Sequence, residues 1–275
     1  METTKTFLKN LINKSVSKNK LFIRNLLKEY LQILVLDFIY AHPKYNNLIF
    51  YGGSSLHHCF NLPRLSEDLD FVDLKKGINI KELAKDLEIS FKRNYNLDLN
   101  TTLQKFRIYL KFPILYELKL AKEDESDLLF LKIELFSDFD FCKNYKIEVI
   151  PLFKFNKSIL LKTFDLTTLM ATKLRAILYR KWEKIDKKGR VFIKVKGRDY
   201  FDLMWYLEKG VEVNIECIEI KNKEELKEKL LKIISKIDPR SIQLDLEPLI
   251  EDKNFVKNLS KDIKGILRRE IEVTF

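Results

Sequence analysis

The apolar run Leu48-Ile49-Phe50-Tyr51 leads directly into Gly52-Gly53-Ser54, and Asp68-Leu69-Asp70-Phe71 follows a short way downstream. The first run is too short for an ordinary helix and reads as a buried strand that ends in a tight turn. Ser54 is placed to cap a short helix over 55–60. Residues 67–73 alternate in polarity and read as a second strand. A side-chain period of two puts Asp68 and Asp70 on one face of that strand, about 6.5 Å apart along the chain. Strand, turn, short helix and strand in quick succession require a small sheet with a helix at one strand end.

The remaining patterns extend this into an α+β chain. Residues 17–41 read as an amphipathic helix capped by Ser17 or Asn19 and stopped by His42-Pro43. A second helix is expected over 79–93. Residues 101–112 and 128–136 alternate as strands, with a solvated acidic turn at 123–127 between them. Composition shifts near Pro151. Beyond it come a helix over 166–181 behind Asp165, a basic loop-like stretch to about Arg198, and helices over 199–209, 222–237 and 252–270. The expected organisation is an α/β catalytic domain over residues 1–150, with a small mixed sheet flanked by helices, then a mainly helical domain over 151–275.

The 275 residues are 46% hydrophobic and 33% charged, enough for a packed core and unlike a disordered chain. Net charge is +11. The second domain carries most of the excess, which suits a surface that meets phosphates and also suits a solvated lysine-rich face. Cys59, Cys142 and Cys217 are odd in number, scattered and outside any CxxC pattern. They point to a reducing compartment and away from a zinc site or disulfide framework. No secretory signal pattern or membrane-length apolar run is present, so a soluble cytoplasmic protein is expected.

Paired aspartates at this spacing supply hard oxygen ligands able to share Mg²⁺ or Mn²⁺ ions, which phosphoryl and nucleotidyl transfer need to neutralise charge on phosphate oxygens. Gly52 and Gly53 allow a phosphate to approach the backbone closely where a helix N-terminus favours anions. A lone DxD or GGS is common. Their linkage through a short helix is far more specific, and here the chain resembles the DNA polymerase β-like nucleotidyltransferase superfamily. That superfamily has a third carboxylate on an adjacent strand. Glu134 in Lys132-Ile133-Glu134-Leu135 is the candidate, and Asp138 and Asp140 fall past the strand. Between Arg180 and Arg198 nine basic residues, including Lys181 and Lys187, meet only Glu183 and Asp186. With Tyr179, Trp182 and Phe192 they could track an RNA backbone or form a solvated loop. His57 and His58 diverge by about 100° on a helix and read as packing or surface, not as paired metal ligands.

Three further segments narrow the resemblance. Arg64-Leu65-Ser66-Glu67-Asp68-Leu69-Asp70-Phe71, Leu169-Met170-Ala171-Thr172-Lys173-Leu174-Arg175-Ala176-Ile177 and Arg198-Asp199-Tyr200-Phe201-Asp202-Leu203 resemble, in order, the signatures of the AbiEii/AbiGii toxin family. The resemblance implies an enzyme of a toxin–antitoxin or phage-defence pair that transfers a nucleotide from an NTP with Mg²⁺, the acceptor being the 3′ end of tRNA. A cognate antitoxin is implied as partner. It implies that Asp68, Asp70 and Glu134 hold metal and that Gly52, Gly53, Ser54, Arg64 and Ser66 bind nucleotide. Lys173 would neutralise triphosphate charge, with Asp199 in the site. Structural alternatives stay open: Lys173 as a snorkelling helix lysine, and Asp199 and Asp202 as partners of Arg175, Arg180 or Arg198. So do two other functions, a phosphotransferase using the same site and a non-catalytic RNA-binding module.

Overall fold

A computed structural model describes residues 3–180, 182–186 and 188–275, and of Phe192 the backbone alone. Lys181 and Lys187 of the basic run lie outside the described residues. The chain forms two compact units, one running to Phe139 and resuming over Ile147–Thr163, the other made of Asp140–Lys146 and Phe164–Phe275. The boundary expected at 150/151 falls inside a strand of the first unit.

The first unit holds helices α1 (Thr4–Lys14) and α2 (Lys20–Ala41), strand β1 (Ile49–Tyr51), helix α3 (Gly52–Phe60), strand β2 (Asp68–Val72) and helix α4 (Ile80–Tyr95). Strands β3 (Asn100–Gln104), β4 (Arg107–Pro113), β5 (Leu128–Phe136), β6 (Ile147–Lys154) and β7 (Lys157–Phe164) follow. Together the strands make one mixed sheet in the order β3-β4-β5-β2-β1-β7-β6. β1 runs antiparallel to β2 and β2 parallel to β5. The expected strand over 101–112 is instead a hairpin that turns at Lys105, whose φ is 54°. β6 and β7 are joined by Phe155 and Asn156, both at positive φ, as a two-residue type I′ turn requires. Pro151, where the composition shifts, sits within β6 at the end of the sheet order, where a missing N–H is tolerated.

Local chemistry explains several element ends. Asn19 caps α2 by accepting the Leu21 N–H at 3.0 Å, and Asn79 caps α4 through Lys81 at 3.0 Å. Asn61 and Asn96 close α3 and α4 in the left-handed region. The core takes one face of the central strands. Leu69, Phe71, Leu131 and Ile133 are fully buried with α2 residues such as Leu27, Leu31 and Ile33. The alternate residues on the opposite face are the polar ones.

The second unit holds α5 (Leu166–Tyr179), a short ladder of β8 (Lys184–Ile185) and β9 (Val191–Ile193), α6 (Gly197–Glu208), a one-turn 3₁₀ helix (Ile215–Cys217), α7 (Lys223–Ile234), α8 (Pro239–Leu246) and α9 (Lys253–Thr274). The basic stretch expected as loop is therefore partly a two-stranded ladder. Cys142 and Cys217 are disulfide-bonded and both buried, which corrects the expectation that no disulfide forms. Their separation of 75 residues hides the contact from any local pattern. Among the described residues, no helix is long and apolar enough to cross a membrane.

Candidate active site

The register of three strands gathers the acidic residues. Asp68 lies opposite Lys132 and Asp70 opposite Glu134 across the parallel β2–β5 pair, while Arg107 of β4 lies opposite Glu134. Residues opposite one another share a face, so Asp68, Asp70 and Glu134 project together, with Lys132 and Arg107 beside them. Lys132 Nζ lies 3.1 Å from Asp68 and 2.8 Å from Glu134. Arg107 Nε donates to the same Glu134 oxygen at 2.7 Å. Two cations thus serve a carboxylate that is only 8% exposed, and Asp68 and Asp70 are half-buried. Lys132 could have been found from its place two residues before Glu134 on an alternating strand. Arg107 could not, because it depends on the β4–β5 register.

Gly52 closes the cluster from the other side. Its φ is +79°, and a Cβ there would sit 2.5 Å from Asp70 Oδ2. A Cβ on Gly53 would sit 2.7 Å from an Arg64 guanidinium nitrogen. Gly52 is therefore required by contact as well as by conformation, and Gly53 by its close approach to Arg64. Helix α3 starts at Gly52, with Tyr51 at the N-cap position and no side-chain capping bond. Ser54 is not the cap. It lies within the first turn, fully buried, and its hydroxyl donates to the Asp68 carbonyl. The Ser66 hydroxyl lies within hydrogen-bond distance of Ser54 Oγ, at 3.0 Å. Arg64, 3% exposed, donates to the Leu65 carbonyl at 2.8 Å. Ser54, Arg64 and Ser66 thus tie the start of α3 to the start of β2, leaving the backbone N–H groups of the first α3 turn without a side-chain cap.

A polar stripe on α2, Asn25, Glu29 and Gln32, is buried at helical spacing. Gln32 donates to the Ser66 carbonyl at 2.9 Å and accepts from His58 Nε2 at 3.1 Å. Glu29 takes His57 Nε2 and Lys154 Nζ, each at 2.5 Å, on one oxygen. Burial works to raise the Glu29 pKa, but His57 and Lys154 outweigh it and bring it down to about 2. One nitrogen of each histidine and a Glu29 oxygen lie within 4.8 Å of one another, closer than the helical divergence of His57 and His58 suggested. Neighbouring side chains explain this convergence: His57 Nδ1 is fixed by the Leu62 carbonyl at 3.0 Å and His58 by Gln32. Lys154 already supplies Glu29 with a cation, so the cluster fits α3-to-α2 packing better than a metal centre.

In the second unit Lys173 on α5 reaches Asp199 at 2.8 Å and Asp202 at 2.7 Å on α6. Arg180 also pairs with Asp199. Arg175 instead pairs with Glu219 at 3.3 Å and stacks over Phe141, and the Arg198 N–H donates to Asp245 at 3.1 Å. Burial would raise the Asp199 pKa, but Lys173, Lys196 and Arg180 hold it well below the ordinary carboxylate range. Of the three arginines weighed as partners for these aspartates, Arg180 pairs with Asp199.

The family model for the nucleotidyl transferase AbiEii toxin of type IV toxin–antitoxin systems matches residues 34–272. No curated protein matches the chain. Among solved structures, JHP933 from Helicobacter pylori is 20% identical, over 90% of this chain and 94% of that one, with a TM-score of 0.48. A candidate nucleotidyltransferase from H. pylori is 19% identical, over 90% of this chain and 97% of its own, also with a TM-score of 0.48. The family match begins in α2, ends in the last turns of α9 and takes in the GGS turn, the DxD strand, the Lys173 helix and the Arg198-Asp199 element, so the chain belongs to the AbiEii nucleotidyl transferase toxin family.

Proposed function

We propose that this nucleotidyltransferase toxin transfers a nucleotide from an NTP to an RNA acceptor, the 3′ end of tRNA, with Mg²⁺ or Mn²⁺ and in the cytoplasm, opposed by a cognate antitoxin. One observation carries the reading: three carboxylates from adjacent strands share a face beside the uncapped start of α3. The donor set fits a divalent cation. Asp68 and Asp70 are hard oxygen ligands, half-buried, and the glycine at 52 leaves room for the Asp70 carboxylate. A bound cation would supply neutralisation of charge on the transferring phosphate. Asp68 and Asp70 are its proposed holders. Glu134, kept by Lys132 and Arg107, is the proposed third ligand or the group that positions Lys132.

The N–H groups at the start of α3 bind terminal phosphates in this reading, and the Gly52-Gly53 backbone permits their approach. Ser54, Arg64 and Ser66 act by holding that turn against β2. Lys173 offers a point cation for phosphate, aimed by Asp199 and Asp202.

The test is incubation of the protein with total tRNA, Mg²⁺ and each α-³²P-labelled NTP. Label is expected to enter RNA for at least one NTP. EDTA abolishes it, and Asp68→Ala or Asp70→Ala lowers it by roughly a thousandfold, as expected when electrostatic stabilisation of the transferring group is lost. No transfer from any NTP, or transfer of γ label alone, overturns the reading.

A further inference from the structure

The second unit contains a cavity of about 770 Å³ bordered by α5, α6 and the residues that follow α5, β9 and α7. Its charged lining is unbalanced. Arg180, Lys194, Lys196 and Lys236 face two acids, Asp199 and Glu183. Asp199 is already neutralised by Lys173 and Arg180. Lys194 and Lys236 are exposed and Lys196 half-buried, with Lys196 drawn to Asp199 and Lys194 to Asp238 through space. Trp182 and Tyr200 add aromatic surface to the same lining.

We propose that this cavity is a subsite for one nucleotide of a single-stranded RNA acceptor, with its base against Trp182 and Tyr200 and its phosphate among Lys194, Lys196 and Lys236. The inference rests on the reading above that the acceptor is RNA, and it adds where the strand is gripped. Aromatic side chains stack on bases of any sequence, and lysines track the phosphate backbone. The volume lies within the roughly 300–1,000 Å³ range of small-ligand pockets and so accommodates a nucleotide. An NTP with its metal fits less well. It would need a carboxylate to spare for the cation, and Asp199 is committed to Lys173 and Arg180. A phosphodiester needs only the cations. Lys196 is consistent with this need: burial first, then Arg198, Arg180 and Lys173, pull its pKa down to about 8 against the opposing pull of Asp199. An anion delivered into the cavity would favour its charged form and raise that pKa.

The experiment uses the full chain and a fluorescein-labelled oligocytidylate, read by anisotropy and by tryptophan emission. RNA is expected to quench emission in the wild type and not in Trp182→Phe, because Trp205 is buried in α6. Trp182→Ala weakens binding about tenfold, the scale of one lost base stack. Lys194→Ala, Lys196→Ala and Lys236→Ala each lower the slope of log affinity against log salt, together by about 0.7, the value for one phosphate contact on a single strand. NTP affinity in Mg²⁺, measured by calorimetry, is unchanged in all of them. Lys194 and Lys236 are exposed, so their variants test the idea even if Lys196→Ala folds poorly. Unchanged RNA affinity and slope overturn the proposal. So does loss of NTP affinity with RNA binding intact, or equal competition by polyglutamate, which would mark a peptide site. If tRNA is labelled but the variants bind RNA like wild type, the cavity assignment alone falls. If the lysine and Trp182 effects appear but no RNA is ever labelled, the acceptor reading falls and the cavity stands.

Discussion

Gly52 shows how much of the site rests on a single missing atom. Its φ of +79° costs an L side chain roughly 1–2 kcal/mol, and its Cβ would enter the space held by Asp70 Oδ2. Gly52→Ala is therefore expected to lower stability by about that amount and to move the Asp70 carboxylate, proposed above as a metal holder. Because misplacement by about 1 Å can cost on the order of a hundredfold, nucleotide transfer should fall by at least that factor while thermal unfolding shifts only modestly. Activity falling only in proportion to the folded fraction would refute the contact argument. At this scale the sequence was informative wherever chemistry is local. A period of two is enough to pair Asp68 with Asp70, and it also placed Glu134 on a strand. The Arg107 contact to Glu134 depends on cross-strand register, which no local pattern encodes. Ser54 was misassigned as a cap because its hydroxyl answers to a carbonyl on β2 instead of an N–H of its own helix.

Elements were legible in proportion to their periodicity and punctuation. α2, α4, β5, α6 and α9 lie close to where alternation and caps put them. α1 is hidden because its polar and apolar residues are mixed with weak helix formers, and β6 and β7 because their outward residues Ile147, Val149, Phe153 and Leu160 are apolar too, so hydrophobicity does not alternate along them. Packing between elements is less visible still, and two glycines demonstrate it. Gly197, at the start of α6, approaches α8 so closely that a Cβ would lie 2.8 Å from Ile242 Cα, which is backbone and cannot rotate away. Gly265 in α9 has nothing within 4 Å. The same substitution should thus have opposite signs. Gly197→Ala is expected to destabilise by about 1–3 kcal/mol through overpacking. Gly265→Ala is expected to stabilise by about 0.5–1 kcal/mol through helix propensity. Chemical denaturation of the two variants checks both, and equal signs would mean that α6 and α8 are free to separate.

At the scale of the whole chain, the interleaving of the two units was the least legible feature. Residues 140–146 leave the first unit, join the second, and the chain then returns for β6 and β7. Composition shows one shift, whereas the chain crosses between the units three times, after Phe139, Lys146 and Thr163. The Cys142–Cys217 bond fastens that inserted segment to the 3₁₀ turn after α6, so its effect is one of chain connectivity. In the reducing cytoplasm proposed for this toxin, glutathione and thioredoxin would hold these cysteines as a buried thiol pair. Isolation without reductant would keep the bridge. A cross-link over 75 residues removes unfolded-state freedom worth up to about 4.5 kcal/mol in the chain-entropy model. The oxidised protein is therefore expected to unfold at higher denaturant than the reduced protein, by an amount below that ceiling. Cys142→Ser/Cys217→Ser should make the two conditions indistinguishable. Thiol titration after unfolding, without reductant, should count one free thiol, Cys59, against three once reductant is added. Identical midpoints with and without reductant in the wild type would show that the bridge closes no loop that matters to folding, and that contacts around the 3₁₀ turn already hold residues 140–146 in place.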